Sequence, residues 1–265
     1  MQGITIGHYI PGESVIHRAD PRLKIVITIL TMVLLLILDS FYSLLLSALF
    51  IISAFLVSGI SLRYALKGLK PVIYIVIFTM ILNIFFSTGT PIYTLGFITV
   101  TKEGLITSAL ISARILLLIS AGSLMTYTTT PLVLTVGIER LMYPLKYIKV
   151  PTAEIAMMIS IALRFIPTLM EETEKIMKAQ AARGADIGTG NIVSRAKSFI
   201  PILIPLFISS FKRADDLAIA MDSRCYHGSE GRTSINELRY GRVDLTIFIV
   251  YILFIAAALV LQYML

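Results

Sequence analysis

Long apolar runs separated by short polar breaks dominate the first half of the chain, and their lengths predict membrane-spanning helices. From Ile25 to Val57 the only charged residue is Asp39. That run is too long for one crossing of about 20 residues, so a tight turn at Asp39 and Ser40 is expected between two short helices. Val72 to Phe86 and Gly104 to Tyr127 form the next two spans, and Val243 to Leu265 the last, with Asp244 at its inner border. Between Phe86 and Gly104 lies STGTPIYTLGFITVT, uncharged and rich in turn-forming and β-branched residues, which predicts an outer loop with a small hairpin. Thr128, Thr129, Thr130 and Pro131 make a helix entry, with threonine as N-cap and proline in the first turn.

Beyond Pro131 the pattern changes. Residues 131–242 carry most of the chain's charge yet keep long apolar faces. A helix over Thr152 to Ala182 is apolar at its root, MMISIALRF, and polar toward its tip, EETEKIMKAQ. A second arm repeats the gradient, from FIPILIPLFISSF to KRADDLAIAMD. Such a gradient describes a helix that leaves an apolar bed and reaches toward water. Pro167, Pro201 and Pro205 are positions where these arms can bend. Three parts follow: an N-terminal membrane region over 1–130 with four spans, a membrane-surface region over 131–242 with two long helical arms, and a C-terminal span over 243–265.

Each arm opens on the same phrase and closes on a solitary arginine. Phe165, Ile166 and Pro167 lead to Ala182, Arg183 and Gly184, and Phe199, Ile200 and Pro201 lead to Ser223, Arg224 and Cys225. The two proline-to-arginine spacings differ by seven residues, nearly two helical turns, so both arginines are expected on a similar face relative to their prolines. An Arg-Gly pair is also an ordinary helix stop, since glycine takes the left-handed C-cap and a cation suits the negative end of the macrodipole. Matched openings with matched tips favour a second role. The planar guanidinium is suited to planting a charge in a partner's pocket.

Composition sharpens the class. With 57% hydrophobic and 15% charged residues over 265 positions, and a mean hydropathy of +0.86, the chain reads as an all-α polytopic membrane protein. Its net charge of +7 comes from basic residues scattered beside the spans, which positive-inside topology explains without nucleic acid. Arg18, Arg22 and Lys24, and the loop bearing Arg63, Lys67 and Lys70, place the N-terminus and the arms on the cytoplasmic side of the cell membrane. No cleavable signal is expected at the N-terminus. Arg114 falls inside a span, in its outer half, where a structural role is expected with Asn83 or the membrane surface as its partner.

Catalytic motifs do not emerge. The chain carries no GxxxxGK[ST], HExxH or GxSxG, so it cannot hydrolyse ATP through a P-loop. His8, His17 and His227 are few and dispersed, which predicts no metal site, and the lone Cys225 excludes an internal disulfide. Glu171, Glu172, Glu174, Asp215 and Asp216 read as a solvated face with helix pairs such as Lys212 with Asp216. A self-sufficient secondary transporter would be expected to carry intramembrane acids near the midplane, and a membrane-embedded enzyme convergent arm carboxylates.

Taken together, IPGESVIHRADPRLK, TTTPLVLTVGIERLMYPL, MISIALRFIPTLMEETEKI, the first Ala-Arg-Gly tip and IPLFISSFKRADDLAIAMDSRCY resemble the transmembrane T component of energy-coupling factor (ECF) transporters, related to the CbiQ proteins of cobalt uptake. The resemblance implies a subunit without enzymatic activity and with no cofactor of its own. ATP and Mg would be used by two ABC-type ATPase partners, each receiving one arginine tip in a groove. A small membrane S component would capture the substrate, a vitamin or other micronutrient, and contact the arm roots near Phe165, Pro167, Phe199, Pro201 and Pro205. The lead-in resembles T components shared among several S components more than those dedicated to cobalt or nickel. Ala182, Arg183 and Gly184 match the family tip. At the second tip Ser223 and Cys225 depart from it, which leaves open the backbone after Arg224, because cysteine takes the left-handed conformation less readily than glycine.

Overall fold

The computed structural model describes residues 9–86, 90–95, 98–185, 191–228 and 238–264. The linker expected after Gly184 and the loop expected after His227 fall largely outside these, as does His8. The chain divides into two compact units, Met1–Leu141 with Glu237–Leu265, and Met142–Asn236.

The first unit begins with a short helix, α1 (Val15–Arg18), followed by α2 (Pro21–Ile37), α3 (Phe41–Ser58) and α4 (Leu62–Phe86). An antiparallel hairpin of β1 (Pro91–Leu95) and β2 (Ile98–Thr101) then leads into α5 (Lys102–Thr128), α6 (Pro131–Met142) and, after the second unit, α10 (Arg242–Met264). The expected break at Asp39 and Ser40 separates α2 from α3, and the expected entry at Thr130 and Pro131 opens α6, where Thr130 Oγ1 accepts from the Val133 amide. Helix α5 is central and packs against α2, α3 and α4, while α10 packs on α2 and α3. The core joins Leu35, Leu38, Ile51, Phe55, Tyr251, Phe254 and Ala258, with Phe50 stacked on Phe254 at 4.0 Å between ring centres. Ser43, Ser47 and Ser108 are wholly buried, small residues that allow helices to approach closely in lipid. Large apolar side chains such as Ile29, Leu36, Phe78 and Leu253 face outward, as a lipid-facing surface requires.

Among the described residues five helices are long and apolar enough to cross a membrane: α3, residues Arg63–Ile84 of α4, α5, α10 and, in the second unit, α7 (Thr152–Ala182). The count of five equals the expectation, but the members differ. Helix α2, with 17 residues, spans roughly 26 Å at about 1.5 Å per residue, short of a hydrocarbon core of about 30 Å. Helix α7 meets the measure on an apolar stretch of 18 residues and not over its whole length of 31.

Side chains remote in sequence cap the turn between α2 and α3. Arg114 Nη2 donates to the Leu38 carbonyl at 2.6 Å and to Asp39 Oδ1 at 2.7 Å. Asn83, the partner expected from sequence, instead donates to the Thr79 carbonyl of its own helix. The reason is the unsatisfied carbonyl at the C-terminal end of α2, which offers a guanidinium both an acceptor and the negative end of a helix dipole. Gln262 Oε1 serves the other side of the turn, accepting from the Asp39 and Ser40 amides at 3.1 and 3.0 Å and from Ser43 Oγ.

At the opposite end of α2 lies a second polar cluster. Asp20 caps the helix through the Arg22 amide and pairs with the Arg22 guanidinium at 2.7 Å. Burial opposes ionisation of this carboxyl, but the hydrogen bonds from Arg22 outweigh it and hold Asp20 below the usual carboxylate range.

Replacing Arg114 with Met strands the Leu38 carbonyl and is expected to cost about 2 kcal/mol. Asp39→Asn should cost less than about 1 kcal/mol, because the Asp39 side chain is 78% exposed. Thermal unfolding of the two variants in one detergent checks this ordering, and equal midpoints would contradict it.

Candidate docking site at the arm tips

The second unit contains a 3-10 turn (Tyr143–Ile148), α7, a short α8 (Ile192–Ser198) and α9 (Ile200–Asp222). Helix α7 has the bounds expected from sequence and runs uninterrupted through Pro167. Helix α9 starts one residue after Phe199, accommodates Pro201 in its first turn and continues through Pro205. The prolines therefore interrupt neither arm.

Both tips close in the same way. At the first, the Gly184 amide donates to the Ala181 carbonyl and the Ala185 amide to the Gln180 carbonyl, each at 3.0 Å. At the second, the Cys225 amide donates to the Asp222 carbonyl at 2.9 Å and the Tyr226 amide to the Met221 carbonyl at 3.1 Å. Gly184 has φ +80° and Cys225 φ +58°, so both occupy the left-handed position that lets a chain reverse after a helix. Cysteine thus adopts the glycine geometry, and the point that sequence left open resolves in favour of two equivalent tips. Ser223 Oγ adds a bond back to the Ile219 carbonyl.

Ala182, Arg183, Gly184, Ser223, Arg224 and Cys225 are all exposed. Among the described residues neither guanidinium has an ion-pair or hydrogen-bond partner. Each is a cation at a helix C-terminus, preceding a left-handed residue and presented to solvent. Such a group can enter a pocket lined by carboxylates or carbonyl oxygens without first breaking an intramolecular bond.

The arms pack on each other through contacts that sequence did not reveal. Glu172 of α7 accepts from Ser209 Oγ and from Arg213 Nη2, the latter at 2.6 Å. Further along, Gln180 Nε2 donates to the Pro201 carbonyl at 3.3 Å. In an uninterrupted helix that carbonyl would accept from residue 205, but Pro205 has no amide hydrogen, which leaves the acceptor free. As numbering rises from 172 to 180 on α7 it falls from 213 to 201 on α9, so the arms run antiparallel. Arg183 and Arg224 consequently lie at opposite ends of the pair. A common face relative to each arm's own proline does not become a common direction, because the chain reverses between Gly184 and Ile200. Among the arm carboxylates Glu174 makes an exposed helix pair of the expected kind, with Lys178 at 3.1 Å, whereas Glu172 bridges the arms. The anticipated pair of Lys212 with Asp216 is not formed among the described residues; Arg213, the neighbour of Lys212, pairs across the arms with Glu172.

Of the residues expected to meet an S component, Pro167, Phe199 and Pro201 are exposed, and Phe165 and Pro205 are half-buried. On α9 they adjoin a stripe of Ile200, Leu203, Ile204, Phe207, Ile208 and Phe211, each at least 49% exposed. The i, i+3, i+4, i+7 spacing makes this one face of the helix. No group of His, Cys, Asp and Glu among the described residues could hold a metal.

The tip geometry makes a stability forecast. Cys225→Gly should leave the melting temperature unchanged or raise it, since the left-handed conformation costs a side-chain-bearing residue about 1 kcal/mol. Gly184→Val should lower it by the equivalent of about 1–2 kcal/mol. A destabilised Cys225→Gly variant would contradict the shared geometry.

Comparison with known proteins completes the site. The family model described as CbiQ, cobalt transport protein, matches residues 12–235. The energy-coupling factor transporter transmembrane protein EcfT of Thermosediminibacter oceani is 54% identical over 94% of each chain. That of Ruminiclostridium cellulolyticum is 50% identical over 99% of this chain and 98% of its own, and that of Bacillus subtilis 44% identical over 98% of each. With matches of this length and identity, the chain belongs to the EcfT/CbiQ family of transporter transmembrane proteins.

Proposed function

We propose that the chain is the energy-coupling component of an ECF-type importer, linking two ATPase subunits to a substrate-binding S component for uptake of a vitamin or other micronutrient. The observation that carries this reading is the pair of equivalent arginine tips, unpartnered among the described residues, at opposite ends of one antiparallel helix pair. Two tips set apart by the length of an arm suit two receiving subunits better than one. With no phosphate-binding loop in the chain, ATP and Mg are used by the partners, and this subunit performs no catalysis and binds no cofactor itself.

Conformational work arrives at Arg183 and Arg224, passes along the arms and reaches the S component at the apolar face of α9. A partner helix can slide on that face without leaving polar groups unsatisfied, since the face offers only aliphatic and aromatic contacts. The arms and N-terminus lie on the cytoplasmic side, as the acid-free basic loop of Arg63, Lys67 and Lys70 favours. The description of the matching family as cobalt transport favours a second reading, a T component dedicated to cobalt or nickel. The small molecule held by the co-purified S component separates the two.

Arg183→Glu with Arg224→Glu should abolish capture of ATPases from a co-expressing membrane and reduce uptake at least roughly tenfold, the scale of one lost charge-assisted pair per tip. Lysine at either position should rescue poorly, because the fork is lost. Wild-type uptake by the double glutamate variant would overturn the assignment.

A further inference from the structure

The buried polar cluster at the start of α2 has a position in the chain that packing alone does not require. Lys24 is 9% exposed, yet among the described residues its ammonium closes no ion pair, although the Asp244 and Asp20 carboxylates are near enough to favour its charge. It donates to three neutral oxygens from two other stretches of chain: the His17 carbonyl at 3.1 Å, the Thr128 carbonyl at 3.2 Å and Thr129 Oγ1 at 3.1 Å. Thr128 and Thr129 join α5 to α6, the helix through which the chain leaves for the arms. Asp20 and Arg22 hold the returning chain. The Asp20 amide donates to Asp244 Oδ1 at 2.7 Å, and Asp244 Oδ2 accepts from the Gly241 amide at 2.7 Å. Arg22 Nη2 donates to the Leu238 carbonyl at 3.2 Å, and its guanidinium lies 4.2 Å from the centre of the Tyr240 ring. One segment, Asp20 to Lys24, therefore grips the incoming connection from the arm unit and the junction that opens α6, the helix leading out to it.

Buried ions are a costly means of filling space, and apolar residues of similar volume often serve stability as well or better. What charged and hydrogen-bonded groups add is a fixed position, because each donor must meet its acceptor in one geometry. Asp20, Lys24, Thr128, Thr129 and Asp244 are all buried, so water cannot replace a contact that is pulled apart. A connection held in this way transmits displacement instead of absorbing it.

We propose that Asp20, Arg22, Lys24 and Asp244 form a force-bearing clamp, positioning residues that hold the returning connection and the base of α6 still, so that displacement of the arms is delivered to the transported cargo and not lost in the joints. The proposal rests on the coupling reading above. It assigns these residues neither to ATPase docking nor to substrate binding. Their loss should leave partner capture and ATP hydrolysis in place while lowering the yield of transport.

The test uses the complete complex, purified by a tag on this chain and reconstituted in liposomes with its ATPases and S component. Three quantities are read: ATPase captured per chain, ATP hydrolysed, and substrate accumulated per ATP. Lys24→Met and Asp244→Leu are expected to capture ATPases and hydrolyse ATP as wild type does, with accumulation per ATP reduced roughly tenfold, the scale of losing a buried charge-assisted hydrogen bond. Asp244→Asn keeps an acceptor for the Asp20 amide and should fall between wild type and Asp244→Leu. It carries the same comparison should the leucine variant fold poorly. Normal accumulation per ATP in Lys24→Met and Asp244→Asn would overturn the clamp alone. So would loss of ATPase capture in parallel with accumulation, which marks a merely structural role. A wild-type chain that captures no ATPase would instead overturn the coupling reading on which the clamp rests.

Discussion

Glu172 is the residue through which two separate helices become one body. It accepts from Ser209 and Arg213 across the arm interface, and its neighbourhood fixes the sense in which the helices pair. The second point of contact follows from an absence. Pro205 cannot donate to the carbonyl of Pro201, and Gln180 from the other arm takes the vacant acceptor. Two contacts at different heights restrain sliding as well as separation, which a single apolar seam would not do.

Antiparallel pairing has consequences for both ends of each arm. The apolar root of α9 lies alongside the polar end of α7, so neither arm is a free lever with its own root and tip. The pair behaves as a bar with an arginine at each end and an apolar face between. Its ends are built alike despite different residues, because the hydrogen bonds that close a helix depend on a left-handed φ and not on glycine as such. In the membrane unit the same economy recurs in another form. The C-terminal end of α2 receives its polar partners from the remote side chains Arg114 and Gln262, while at the other end Asp20 is the local cap and the remote Asp244 accepts from its amide.

Elements governed by local rules were legible from the chain alone. The bounds of α7, the break at Asp39 and Ser40, the hairpin between α4 and α5 and the threonine-proline entry to α6 all follow from hydropathy period, turn chemistry and capping. The arm tips were also visible, since a repeated phrase and a terminal arginine are sequence features. What escaped notice depends on distance in sequence. Nothing near Arg114 indicates Leu38, and nothing near Ser40 indicates Gln262. Glu172 reads as one of several solvated acids until Arg213 is brought beside it. One sequence feature does point to the arm interface: Pro205 four residues after Pro201 frees a carbonyl that needs a donor. The direction in which the arms pair is not legible, because periodicity describes a face of one helix and carries no information on how two helices pair.

The central claim is that the two arginines stand at opposite ends of a rigid bar. Cys225 is the chain's single cysteine, so a spin label there and another on Ala182→Cys report the separation of the tips directly by pulsed electron resonance. The account predicts one narrow distribution centred at roughly 35 Å, the rise of a helix from Pro201 to Cys225 at about 1.5 Å per residue. A distribution centred at half that distance or less, or one spread evenly from contact to full extension, would contradict it.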